Sequence, residues 1–191
     1  MTVDLPPARH AGRYRVALVC LGNICRSPMA HVVLEARLDR AGLADRVDVV
    51  SSGTGDWHVG RPMDRRAAAT LTAHGYDATR HRARQWDPSL PAAERPDLVL
   101  AMDAQNLADL GGADRRTMLF RTFDPDGGSR GGDPREVPDP YYGGDSGFEE
   151  VLVMVERTAA TLVDLLRRER PWAAAGRGPA STAAPTGSDP T

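Results

Sequence analysis

A thiol and a guanidinium stand six residues apart in Cys20-Leu21-Gly22-Asn23-Ile24-Cys25-Arg26-Ser27-Pro28. The residue types between and after them suit the capture of an oxyanion. A phosphomonoester dianion needs converging N–H donors and a fixed positive charge. Arg26 offers a planar fork that holds two phosphoryl oxygens at once, which a lysine cannot do. Gly22 and Asn23 enter left-handed backbone space at low cost, so successive amides can turn inward as a nest. Ser27 suits a helix N-cap and Pro28 the first helical position. A helix N-terminus there adds unpaired N–H groups and a favourable dipole. The same donors favour a thiolate at Cys20, with the Ser27 hydroxyl placed to donate to the sulfur. Such a thiolate, beside a bound phosphoryl group, is a nucleophile able to form a covalent thiophosphate. A strand-end cysteine on its own is more often a small buried hydrophobe. The coincidence of glycine, asparagine, arginine, serine and proline at these positions argues for the reactive reading.

Transfer of phosphate to sulfur also needs a proton for the leaving oxygen, hence a carboxylic acid facing the thiol. Val137-Pro138-Asp139-Pro140-Tyr141-Tyr142-Gly143-Gly144 is the obvious source. Two prolines restrict the backbone around Asp139, and two tyrosines follow that can wall a slot for an aromatic ring. In isolation the stretch reads as a surface turn. Beside a reactive Cys20 it reads as an acid loop. A metal reading is weaker, because the two cysteines lack a nearby histidine pair and have the wrong spacing for a zinc site or a C-x-x-C redox pair.

Strands and helices alternate along the chain. Apolar runs fall near residues 15–19, 47–51, 97–101 and 117–120, and helical periodicity falls near 28–41, 63–74, 104–110 and 147–169. Met29, Val32, Val33, Ala36 and Leu38 give the first helix its buried stripe. The alternation predicts a doubly wound parallel sheet with its site at the carboxyl ends of the strands. Residues 1–12 read as a flexible lead and 13–170 as one domain. Residues 171–191, rich in Ala, Gly, Pro, Ser and Thr, read as a disordered tail.

The pattern C-x-G-N-x-C-R-S-P is complete here and resembles the phosphate loop of the low-molecular-weight protein tyrosine phosphatases of bacteria, including actinobacteria. Asp139-Pro140-Tyr141-Tyr142-Gly143 is similar to that family's acid loop, and the resemblance spans about residues 14–169. It implies a single-domain α/β fold: a doubly wound four-stranded parallel sheet, helices on both faces, and the phosphate-binding loop after the first strand. It implies hydrolysis of phosphotyrosine in protein substrates without metal or other cofactor. Cys20 would be the nucleophile, Arg26 the phosphate clamp, and Asp139 the general acid and then the base. Leu21, Gly22, Asn23, Ile24, Cys25 and Ser27 would line the phosphate, and Trp57, Tyr141 and Tyr142 the substrate cleft. The resemblance further implies a hydrogen bond from Ser51 to Asn23, and indirect bracing of the asparagine by His81. Cys25 would protect Cys20 from irreversible oxidation through a reversible disulfide, the alternative being that Cys25 packs under the loop. Asp103 is expected to cap a helix. Two departures stand out: Pro138, where the family more often has an acidic residue, and His31, where it usually has glutamate.

Relatives on the same scaffold are less well matched. An arsenate reductase needs a further downstream cysteine. A protein-arginine phosphatase tends to carry threonine at the position of Ile24 and to lack the paired tyrosines. A non-catalytic phosphate-binding module would not need Cys20, Arg26 and Asp139 together. The 191 residues carry a formal net charge of −2, which gives no nucleic-acid surface, and all 24 basic residues are arginine. Two cysteines in this motif fit a reducing compartment. No apolar run is long enough to span a membrane, and the N-terminus lacks the apolar core of a signal peptide. A cytoplasmic monomer acting on phosphotyrosine proteins is the expectation; export by an unconventional route would leave no such mark.

Overall fold

Four apolar runs become four parallel strands: β1 (Tyr14–Cys20), β2 (Val47–Gly53), β3 (Leu98–Ala101) and β4 (Thr117–Leu119), in the order β2-β1-β3-β4. Between and after them run helices α1 (Arg26–Arg40), α2 (Arg65–Ala73), α3 (Ala104–Asp109) and α4 (Asp145–Glu169). This computed structural model describes residues 4–127 and 135–173. The doubly wound four-stranded sheet is as the sequence predicts, and the phosphate-binding loop follows β1.

β1 is apolar from Val16 to Cys20 because both of its faces are covered there, as a central parallel strand requires. Val16 and Leu18 face the larger core with α1 and α4; Ala17 and Val19 face a smaller one with Val99, Trp86 and Leu110. Phe148, Val151, Leu152, Val155, Ala159 and Leu162 form the buried stripe of α4, at helical spacing. α4 packs against both α1 and α2. The two faces are therefore unequal, with the single-turn α3 covering the thinner side of β3 and β4. All four strands run the same way, so their carboxyl ends open onto one edge, where Cys20 pairs in register with Gly53.

The described part of the expected lead and the start of the expected tail both carry buried residues. In the described part of the lead, Leu5 and Ala8 are buried in the main core. The Leu5 amide donates to the Glu169 carboxylate at 2.9 Å, and the Ala8 amide to the Pro171 carbonyl at 3.2 Å. Residues 171–173 form a 3-10 turn with Pro171 and Trp172 buried. The two ends of the described chain are thus hydrogen-bonded to each other, a long-range pairing with no local sequence signal. The remainder of the predicted tail, 174–191, lies outside the described residues, as do 1–3 and 128–134.

Candidate active site

The loop of residues 21–25 turns sharply between β1 and α1, and its backbone is fastened to the end of β2. The Thr54 amide donates to the Cys20 carbonyl and the Gly55 amide to the Leu21 carbonyl, both at 2.9 Å. A Cβ at Gly53 would stand 2.7 Å from the Leu21 carbonyl oxygen, so only glycine fits where the loop crosses the strand. Asn23 adopts the left-handed conformation expected of it, with φ 52°. It is fully buried and every polar group is used. Its backbone N–H donates to Cys20 Sγ (3.3 Å), its side-chain amide to Ser27 Oγ (2.8 Å), and its Oδ1 accepts from the Arg84 amide (2.9 Å). His81 Nε2 donates to its carbonyl at 2.8 Å. A carbonyl only accepts, so Nε2 carries the proton, and burial lowers the affinity of the His81 ring for a second one despite that bond. The bracing by His81 is direct, not indirect.

Ser27 is not the N-cap. Cys25 occupies that position without a side-chain cap, and Ser27 lies in the first turn of α1. Its Oγ lies 3.0 Å from Cys20 Sγ. The Asn23 amide already fills an acceptor site on this oxygen, and the other acceptor in reach, the Ser52 carbonyl, is 3.4 Å away. Ser27 is thus placed to give its proton to the sulfur when Cys20 is a thiolate. The predicted Ser51–Asn23 bond is also corrected. Ser51 Oγ pairs with His31 Nδ1 at 3.1 Å, and His31 Nε2 reaches Glu35 at 3.2 Å. Ser51 thus has its partner on α1, and the Arg84 backbone amide is the partner of Asn23 Oδ1.

Arg26 is almost fully buried and reaches across to the acid loop. Its Nη1 pairs with Asp103 and donates to the Val137 carbonyl at 3.3 Å; its Nη2 donates to Asp139 Oδ2 at 2.8 Å. Burial alone would weaken this cation, but Cys20, Asp139 and Asp103 outweigh it and hold the proton more tightly than usual. Asp103 does cap α3, accepting from the Asn106 amide at 2.7 Å, and the same carboxylate grips Arg26. Sequence reasoning missed this second contact; an acidic residue at the carboxyl end of a strand neighbouring β1 was the available signal. It also missed Arg66. This guanidinium donates to the carbonyls of Tyr141 (3.0 Å) and Gly143 (3.2 Å) and lies over the Phe148 ring. Asp64, the N-cap of α2, orients it.

Cys20, Arg26 and Asp139 meet in one cleft of about 240 Å³. Trp57, His58, Tyr141 and Tyr142 line it with them. Trp57 is 59% exposed and Tyr142 93%, so both rings are free to meet a ligand. Tyr141 and Tyr142 stand edge to face, 5.1 Å apart. A Cβ at Gly55 would meet the exposed Trp57 ring, which would have to swing aside. Leu21, Gly22, Ile24 and Cys25 also line the cleft. Cys25 differs from Cys20 in surroundings: burial, reinforced by Asp64, Cys20 and Asp139, pushes its thiol well up and keeps it protonated. Both are free thiols. A larger depression of about 390 Å³ beside α1 and β2 contains none of these residues. A buried sulfur cradled by amide and hydroxyl, a fixed cation and a carboxyl, all opening to one aromatic slot, can accept and release a phosphoryl group.

The family described as "Low molecular weight phosphotyrosine protein phosphatase" matches residues 15–172. A Streptomyces coelicolor protein named "Low molecular weight protein-tyrosine-phosphatase" is 46% identical over 162 residues, covering 82% of this chain and 95% of that one. Among solved structures, YfkJ from Bacillus subtilis superposes with a TM-score of 0.73 at 29% identity, covering 83% of this chain and 97% of that one. Vibrio vulnificus Wzb in complex with benzylphosphonate superposes with a TM-score of 0.64 at 27% identity, covering 80% and 99%.

Proposed function

This chain belongs to the low-molecular-weight protein-tyrosine-phosphatase family, and from that premise we propose that it hydrolyses phosphotyrosine in protein substrates through a phosphocysteine at Cys20. The observation that carries the reading is Arg26, which bridges the Cys20 loop and Asp139 across a single aromatic-walled cleft. The phosphoryl group sits over Cys20, its oxygens on the loop amides and the Arg26 fork. The sulfur attacks phosphorus in line, the bond from phosphorus to the tyrosyl oxygen breaks, and Asp139 gives that oxygen its proton. Water then attacks phosphorus, Asp139 takes a proton from it, and the phosphorus–sulfur bond breaks to release inorganic phosphate.

Each role has a physical support. The Ser27 proton and the Asn23 amide stabilise negative charge on Cys20 in both the attacking and the leaving step. Fixed donors aimed at developing charge in a buried site are the strongest catalytic device available to a protein. An incoming dianion competes with Asp139 for Arg26 Nη2, and its like charge then helps keep a proton on the carboxyl. Trp57 and Tyr141 offer stacking faces to a phenyl ring. The benzylphosphonate held by Wzb has a phenyl ring one methylene from its phosphonate, where an aryl phosphate has its ester oxygen. Two free thiols suit the reducing cytoplasm as the place of action.

The test is steady-state hydrolysis of para-nitrophenyl phosphate and phosphotyrosine by freshly reduced protein with EDTA present. Turnover of both, lowered about 10²-fold or more on phosphotyrosine by Asp139→Ala, is expected. No turnover by the reduced, folded wild type would replace the reading with a phosphate-binding module.

A further inference from the structure

Beneath the acid loop lies a group of buried charges that the reaction scheme does not use. Asp124 has a fully buried side chain. Arg157 on α4 donates to both of its oxygens, and Arg121 Nε donates to Oδ2 at 2.8 Å. Buried charge of this kind adds little stability compared with apolar packing of the same volume. Its placement therefore calls for another reason. The second arm of Arg121 supplies it: Nη1 donates to the Glu136 carbonyl at 2.8 Å.

Glu136 and Val137 are the root of the acid loop, and among the described residues four ties hold them. Arg121 takes the Glu136 carbonyl, while the Glu136 carboxylate accepts from the Ala104 amide at 2.8 Å. The Val137 amide donates to the Met102 carbonyl at 2.7 Å, and the Val137 carbonyl accepts from Arg26. Asp139 follows two residues later. Of these four ties, the one from Arg121 alone is a charged side chain anchored in α4 through Asp124 and Arg157.

We infer that Arg121 is a positioning residue for the acid step: held by Asp124 and Arg157, it fixes the carbonyl of Glu136 and so sets the reach of Asp139 toward the leaving oxygen. The inference rests on Asp139 being the acid. A charge-assisted bond to a carbonyl is a strong and directional tie. A displacement of about 1 Å at the reacting centre costs as much as 10²-fold in rate. Removing Arg121 leaves Asp124 with both bonds from Arg157, so the fold keeps its buried ion pair while the loop root loses one tie.

The experiment compares wild type, Arg121→Met, Arg121→Lys and Asp139→Ala on 2,4-dinitrophenyl phosphate, phenyl phosphate and phosphotyrosine, with melting curves for each. kcat/KM is the readout because it covers the first chemical step. The dinitrophenolate leaves without a proton, whereas phenolate and tyrosine need one. Arg121→Met is expected to lower kcat/KM about tenfold on phenyl phosphate and phosphotyrosine and to leave the dinitrophenyl ester nearly unchanged. Arg121→Lys should recover part of the loss. Asp139→Ala should show the same selectivity more strongly. An equal loss by Arg121→Met on all three esters, or no loss, with Asp139→Ala selective, overturns the inference and leaves the acid assignment standing. No selectivity in Asp139→Ala removes the acid assignment and the inference together. If the methionine variant melts below the assay temperature, the lysine variant decides: selective loss supports the inference and uniform loss or none overturns it.

Discussion

The phosphate loop and the acid loop meet at Arg26, yet they are held in different ways. Residues 20–27 bond to one another, Asn23 to Cys20 and Ser27, and Ser27 to Cys20, and are fastened from outside mainly by the strand end and loop beside them, through Thr54, Gly55, His81 and Arg84. Residues 136–144 are instead tied to residues far away in sequence, Arg26, Arg66, Met102, Ala104 and Arg121. The first loop must present many donors to one ion with little tolerance, which a short turn bonded both within itself and to the neighbouring strand end does well. The second must deliver a single carboxyl from across the cleft, and only long side chains from other elements can fix it there. Damage to the first should impair every substrate alike. Damage to the second should fall hardest on substrates whose leaving group needs a proton.

Arg26→Lys strikes both loops and gives the largest effect. A point charge cannot serve Asp103, the Val137 carbonyl and Asp139 at once, so kcat/KM should fall about 10³-fold on all aryl phosphates. A loss of less than tenfold would remove Arg26 as the shared element. Asp124→Asn tests the distant anchor. It leaves two arginines without their buried counter-charge and should cost about 3 kcal/mol in urea unfolding at neutral pH. Burial opposes ionisation of Asp124, but the bonds from Arg157 and Arg121 outweigh it and hold its carboxyl below the usual range. The stability it supplies is therefore complete above the unfolded-state value of about 3.9 and is lost as the pH falls through the lower folded value. Wild type and variant should differ by a constant amount from neutrality down to about pH 4 and converge below it; a difference that vanishes between neutrality and that point contradicts the assignment.

Asn23→Ala sharpens the contrast from the other side. Alanine tolerates φ 52° poorly and loses the bonds to Ser27 and Arg84. An equal drop of about tenfold for dinitrophenyl and tyrosyl esters is expected, and a drop confined to poor leaving groups would contradict the division of labour. Trp57→Ala should have the smallest effect, a rise in KM for phosphotyrosine of about fivefold with kcat nearly constant, as expected for loss of a stacking face. A fall in kcat alone would place Trp57 in the chemistry.

The same contrast explains what the sequence reveals. Cys20, Gly22, Asn23, Arg26 and Ser27 are legible because their function is local, and spacing alone carries the geometry. The strands are legible because a parallel sheet covered on both faces demands apolar runs. Asp139 is legible through its flanking prolines and tyrosines. Asp103, Arg66 and Arg121 are not, because each acts on a loop at least 15 positions away, as Arg121 does on Glu136, and arginine is ordinary on the surface of a chain whose 24 basic residues are all arginine. The misplaced N-cap has a related cause. Ser27 is a good capping type, but its hydroxyl goes to Cys20, and no propensity registers a partner supplied by the fold.

The most direct test of the account is whether the phosphoryl group passes through Cys20. Reduced protein is mixed with phosphotyrosine, quenched in acid within the first turnovers, digested and mapped by mass spectrometry, with Cys20→Ser and Cys25→Ser in parallel. The account predicts a phosphate adduct on the Cys20 peptide of wild type and Cys25→Ser, and neither adduct nor turnover in Cys20→Ser. Turnover by Cys20→Ser, or an adduct mapping to Cys25, would contradict it.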